Sequence, residues 1–306
     1  MGVVVNMATT FAFQTEPAYY QEFDKYFHVR PQFIHRRVDL VLKSNENNEK
    51  IIYKPVNNNY IGVGFFMFDA NFAINFPTNF SSKNIDMRSS VALRRFGIEA
   101  SYQNYNTFET PVDVLDARFR ELKLDGIYIF NHRKFSLPAS INQNEKQLRS
   151  AGSPLLIMSV SRTHLSNSEG VVGPGSINSF PQLDGVNQFR QWMWGVMPGY
   201  SYSWVKEDWI VNGTLGVGVS HYWEFYHTDT DRTSDVNLNL SSKARLYAGI
   251  DKLKYFAGIL AEWDHLGSSS EITRNRVRFF SVRLAFGLRF LEKGLLERSG
   301  SEIFSF

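Results

Sequence analysis

His164 and Ser166 are the residues whose types and spacing come nearest to a catalytic pair. An extended strand places alternate residues on one face, so the two share a face, which continues through Leu156, Met158 and Val160. An imidazole can act as base for a neighbouring hydroxyl, provided a third polar group orients it. Asn167 and Glu169 lie nearby, but spacing singles out neither. Such a pair on an apolar, outward strand face would suit a lipid hydrolase or deacylase. Without a located orienting group the constellation is incomplete, and the hydrolase is kept as the alternative. Arg162 and His164 would serve equally well to meet lipopolysaccharide phosphates.

Little else points to reaction chemistry. His28, His35, His132, His221, His227 and His265 are scattered without metal-ligand spacing, so no metal is expected. Cysteine is absent, which removes thiol nucleophiles and thiolate sites. Gly62-Val63-Gly64 and Gly173-Pro174-Gly175 precede no helix and are not phosphate cradles. No cofactor is expected. Acidic and basic residues are interleaved and the net charge is only +3, which argues against a nucleic-acid face.

The elements that would position these residues are strands. From Phe280 through Val282, Leu284, Phe286, Leu288 and Phe290, every second residue is large and apolar. The intervening face carries Ser281, Arg283, Ala285, Gly287 and Arg289. An apolar face of about 11 residues matches a tilted strand crossing a bilayer. The six apolar residues are therefore assigned to lipid. The pattern recurs along the 306 residues, of which 15% are aromatic. Mean hydropathy is only −0.27, as expected when half of each strand faces a polar interior. Counting strands by their turns gives about twelve, an even number as in single-chain bacterial barrels.

Tight turns are expected at Phe68-Asp69, Arg95-Phe96, 131–134, 206–208 and 251–254. Longer polar connections are expected at 44–58, 77–86, 106–117, 164–190, 225–236 and 265–275. Short and long connections alternate, as periplasmic turns and extracellular loops do. Trp192, Trp194, Tyr200, Tyr202 and Trp204 share one strand face near its two ends, where aromatic girdles sit. The fold expected is all-β: a transmembrane antiparallel up-and-down barrel of about twelve strands, with short periplasmic turns and long extracellular loops.

The barrel is placed at 27–290. Residues 1–26 form an N-terminal periplasmic segment and a possible signal remnant, mildly apolar in its first residues but without the basic flank of a signal peptide, and 291–306 form a periplasmic tail. Alternation assigns Arg37, Asp39, Asp69, Arg94, Glu99, Glu121, Lys123, Asp125, Lys243, Arg245, Arg283 and Arg289 to the lumen. Opposed charges in a barrel of this width either pair across it or line a narrow pore. Phe135 to Ser153 is too polar for lipid on either face and does not alternate. Part of it is expected to fold into the lumen, where irregular backbone is tolerated, so that its removal would raise conductance.

Several stretches resemble one family. They are Tyr53-Lys54-Pro55 leading into Tyr60-Ile61-Gly62-Val63-Gly64-Phe65, Tyr128 to Ser136, Gln143 to Ser153, Pro198-Gly199-Tyr200-Ser201-Tyr202, and Arg283 to Phe290. Together they are similar to the Bacteroidetes outer-membrane barrel family catalogued as domain of unknown function 4421. The resemblance runs from about residue 27 to 290 and is most specific between Asn131 and Ser153. It implies an outer-membrane barrel and no activity. The expected protein is thus a non-enzymatic, porin-like barrel of the bacterial outer membrane. It would be a narrow channel for small solutes or a structural or accessory subunit of an envelope complex. Its expected partners are outer-membrane lipid, lipopolysaccharide and other outer-membrane or periplasmic proteins.

Overall fold

The computed structural model describes residues 18–23, 26–45, 49–67, 69–80, 84–110, 114–269 and 273–291. The possible signal at the start and the C-terminal tail from 292 onwards lie outside the described residues. The strands are β1 (Tyr20–Glu22), β2 (Tyr26–Ser44), β3 (Lys50–Pro55), β4 (Asn59–Met67), β5 (Ala70–Pro77), β6 (Ile85–Ala92), β7 (Phe96–Glu109) and β8 (Val114–Ile129). A short helix α1 (Pro138–Ile141) and β9 (Glu145–Gln147) follow. The rest are β10 (Ala151–Ser166), β11 (Gln188–Lys206), β12 (Trp209–His227), β13 (Arg232–Asp251), β14 (Tyr255–Ser269) and β15 (Thr273–Leu291).

Twelve of these strands close an antiparallel barrel. β2, β4, β5, β6, β7, β8 and β10 through β15 pair in succession, and β15 returns to β2 with Leu291 opposite Tyr26 and Thr273 opposite Ser44. Closure leaves no sheet edge unpaired, which a bilayer demands. β4, β5 and β6 are only 9, 8 and 8 residues long. Above them β3 pairs with the upper half of β2 and touches β7 at Pro55–Phe108, so the wall continues past their tops.

The outer face is apolar where alternation placed it. Phe280, Leu284, Phe286, Leu288 and Phe290 are exposed, and Val282 is half-buried on the same face. Trp192, Trp194, Tyr200, Tyr202 and Trp204 also stand exposed on the outer face of β11. Residues expected in the loops 106–117, 225–236 and 265–275 are largely strand, because β7, β8 and β12–β15 run on as hairpins. Beyond the bilayer no apolar face is required, so the alternation fades before the hydrogen-bonded ladder does.

β2 is phased opposite to expectation over Arg37–Leu42. Val38, Leu40 and Leu42 are buried inside the barrel, and Arg36, not Arg37, is their inward neighbour. The reason lies in the long connection between β10 and β11. Its Val171, Val172, Phe180, Leu183 and Val186 fold into the extracellular half of the barrel. There they join Ile34, Val38, Leu40, Tyr53, Phe108, Phe119 and Phe279 in one apolar core. The barrel's core therefore sits inside its own upper lumen.

Candidate functional site: the filled lumen and the basic rim

Below the apolar core, side chains from six strands form a continuous layer of ion pairs. Arg36 (β2) meets Asp86 (β6) at 2.7 Å, and Arg88 Nε lies 3.6 Å from the other oxygen of that carboxylate. Arg88 reaches across to Glu262 (β14) at 2.5 Å. Glu262 also accepts from Arg245 Nε (β13) at 3.1 Å. The Arg245 fork holds both oxygens of Glu99 (β7), at 3.0 and 2.7 Å. Lys243 lies 3.7 Å from Glu99 and contacts Asp125 (β8) more closely. Asp125 also accepts from Ser159 at 2.5 Å and lies 3.7 Å from Lys123, which donates to Asp264 (β14) at 2.7 Å. The chain of contacts joins the β13–β14 wall to the β6–β8 wall, so it crosses the lumen. A cavity of about 80 Å³ remains beside it, lined in part by Arg30, Arg88, Glu121 and Arg283. Such a space holds at most a few waters.

A third layer fills the periplasmic half. Residues 131–150 turn back into the barrel, with α1 at their centre. Phe135 and Leu137 pack on Ile127, Ile129, Leu155 and Ile157, while Ala139 packs on Ile210, Tyr247 and Leu260. Gln143 is the anchor. Its side-chain oxygen accepts from Arg30 Nη1 at 2.6 Å, and its carbonyl accepts from Arg289 Nε at 3.2 Å and Nη2 at 2.5 Å. Gln143 has φ 54°, a left-handed turn that aims the carbonyl at the guanidinium. Asn142 Oδ1 accepts from Ser90 at 2.7 Å and Asn71 at 3.4 Å. Below, β9 pairs with β1. Lys146 donates to Asp208 in the β11–β12 turn at 2.6 Å and holds that carboxyl below its usual range. A depressed carboxylate contributes at neutral pH and loses its effect as the pH falls through its folded value. The tether is therefore released only in strong acid.

The expected lumen set divides. Glu99, Glu121, Lys123, Asp125, Lys243, Arg245, Arg283 and Arg289 point inward. Arg37 and Asp39 do not: they lie on the outer face and pair with each other at 3.0 Å, since the apolar upper lumen inverts the phase of β2. Asp69 is exposed in the β4–β5 turn, at φ 59°. Arg94 is exposed in the β6–β7 turn and lies 3.5 Å from Glu22. In both cases strand parity was carried past the strand's end. Glu224, Asp251, Arg30, Arg36, Asp86, Arg88, Glu262 and Asp264 also point into the lumen and were missed. The last four had a usable signal, because Asp86–Arg88 and Glu262–Asp264 flank the outward residues Met87 and Trp263.

His164 and Ser166 stand on the outer face at the extracellular end of β10. Opposite His164 lie Arg120 on β8 and Arg190 on β11. Opposite Ser166 are Arg118 and Gln188. Gln188 hydrogen-bonds the imidazole, whose Nε2 has no hydrogen-bond partner among the described residues. The pair is thus surrounded by guanidiniums, and among the described residues no hydrogen bond joins His164 to Ser166. No group of three or more His, Asp and Glu able to hold a metal occurs among the described residues.

A closed twelve-stranded barrel with an apolar outer band, aromatic girdles and a charged interior is a bacterial outer-membrane β-barrel. The sequence matches the family model Domain of unknown function (DUF4421) over residues 14–290, and the chain belongs to that family. No curated protein matches it. Among solved structures, similarity is found at low identity. Neisserial surface protein A is 9% identical, with 86% of this chain and 97% of that chain covered and a TM-score of 0.24. Ail, the attachment invasion locus protein of Yersinia pestis, is 10% identical, with 87% and 99% covered and a TM-score of 0.24. An outer membrane channel from Pseudomonas putida F1 is 10% identical, with 90% and 100% covered and a TM-score of 0.38.

Proposed function

We propose that this protein is a non-enzymatic outer-membrane barrel with a sealed lumen, serving as a structural or accessory component of the envelope. The observation that carries this is the filling of the lumen at three levels: the apolar core under the β10–β11 connection, the ion-pair layer, and the plug anchored at Gln143. A conduction path would need all three to move. An open pore instead keeps its charges apart around water. The alternative hydrolase is disfavoured because a serine–histidine mechanism needs a group that stabilises the developing imidazolium. Arg120 and Arg190 beside His164 would do the opposite.

Purified protein in planar bilayers is expected to show no steady unitary conductance. Discrete open steps from the intact chain would overturn the sealed-lumen assignment and favour a channel. Deleting Asn142 to Gln147 takes away only the periplasmic layer. Contrary to the expectation from sequence, this variant is expected to stay silent, because the ion-pair layer and the apolar core remain. Current through it would show that the plug alone makes the seal.

A further inference from the structure

Three outward rows cross β8, β10 and β11 at the extracellular rim. The upper row is Arg118, Ser166 and Gln188; the middle row is Arg120, His164 and Arg190; the lower row is Leu122, Arg162 and Trp192. Directly beneath come Leu124, Val160 and Trp194, all exposed and apolar. Four guanidiniums therefore lie within three strands, immediately above the lipid-facing band. No acidic side chain shares this face between Arg118 and Leu124, Met158 and Ser166, or Gln188 and Trp194. Asp116, one outward position beyond Arg118, is the nearest carboxylate on the outward face of these strands.

We propose that this face binds the phosphate groups of a phosphorylated glycolipid of the outer leaflet. The cations are positioned and underused. Arg162 stacks on Trp192, 5.1 Å from the ring centroid, which fixes it at the headgroup level. Arg190 donates to Gln188 at 2.9 Å, while its Nε has no partner among the described residues, like Nε2 of His164. Neighbouring strands lie about 4.8 Å apart, so Arg120 and Arg190 flank His164 across a span of about 10 Å. Like charges so close repel unless an anion lies between them, and a phosphate offers the planar guanidinium a matched pair of acceptors. A free anion would gain nothing from the apolar rows below. A lipid-borne phosphate would lay its acyl chains along Leu122, Leu124, Val160 and Trp194. Basic pockets at the membrane boundary recognise headgroups on this principle. The assignment rests on the outer-membrane placement and is independent of whether the lumen is sealed.

The test titrates delipidated barrel in detergent with bisphosphorylated lipid A and reads bound lipid by native mass spectrometry. Folding is followed by heat-modifiable gel mobility. The wild type is expected to bind the bisphosphorylated form at least tenfold more tightly than the same lipid with its phosphates removed. R120Q/R162Q/R190Q is expected to lose that preference, and R190Q alone, should the triple variant not fold, to weaken it about threefold. Equal binding of both lipids, or an unchanged preference in the folded variants, overturns the proposal. Displacement of the lipid by millimolar inorganic phosphate would assign the site to free anions and overturn the glycolipid.

Discussion

Replacing Glu262 by alanine is expected to destabilise the barrel by about 3 kcal/mol, the lower end of the range for removing one partner of a buried ion pair. Glu262 accepts from Arg88 at 2.5 Å and from Arg245 at 3.1 Å. Without it, Arg88 keeps only Asp86 at 3.6 Å, and Arg283 loses the carboxylate that acts on it most strongly. Arg245 keeps Glu99, and Glu262 remains 15% exposed, which moderates the loss. Glu262→Gln preserves shape and one acceptor and should cost less. The urea midpoint of heat-modifiable mobility in lipid vesicles reads the difference. A double change, Arg88→Met with Glu262→Leu, should regain much of it, because both charges go together. Wild-type stability for Glu262→Ala would mean that water screens this layer, as in a wet pore, and the central part of the seal would be lost with it.

What was legible in the sequence follows from which solvent each strand face meets. β15 could be read residue by residue because lipid lies on one side and a polar lumen on the other along most of its length. The same held for Glu121, Lys123 and Asp125, which alternate with Leu122 and Leu124. β2 broke the rule. Val38, Leu40 and Leu42 looked lipid-facing, yet they pack inward beneath the β10–β11 connection. That connection is rich in Gly, Ser and Asn, and its Val171, Val172, Phe180, Leu183 and Val186 follow no period. Nothing local showed that it enters the barrel, so nothing showed that the upper lumen is apolar. The luminal plug could be anticipated, since residues 135–153 are polar without alternation and membrane depth tolerates such backbone only inside a barrel. Its partners could not: Arg30 and Arg289 are brought to Gln143 by barrel closure, which no spacing records. The basic rim was half visible, as Arg162 and His164. The register that sets Arg120 and Arg190 beside them comes from pairing between strands far apart in sequence.

Exchanging the characters of two adjacent residues on β15 should separate the barrel's two faces most sharply. Leu284 is exposed on the outer face, between Ile259 of β14 and Phe33 of β2. It sits midway along the apolar row from Phe280 to Phe290. An arginine there would stand near the bilayer midplane, and Leu284→Arg is expected to cost about 2–4 kcal/mol. Arg283 points the other way, buried in the lumen beside the cavity. It makes no salt bridge or hydrogen bond among the described residues, and Arg30, Arg88 and Arg245 lie near it. Arg283→Leu removes a cation from a cluster already rich in them and leaves no carboxylate without a bonded partner. Its cost is expected to stay at about 1 kcal/mol or below, the range for replacing a buried charge with an apolar residue where no pair is broken. Urea unfolding in vesicles of fixed lipid composition compares the two. Equal costs, or a larger cost for Arg283→Leu, would mean that Arg283 holds the lumen together or that β15 presents its other face to lipid. Leu284→Arg should also slow insertion into preformed bilayers, because the charge must cross the hydrocarbon before the strand can close against β2.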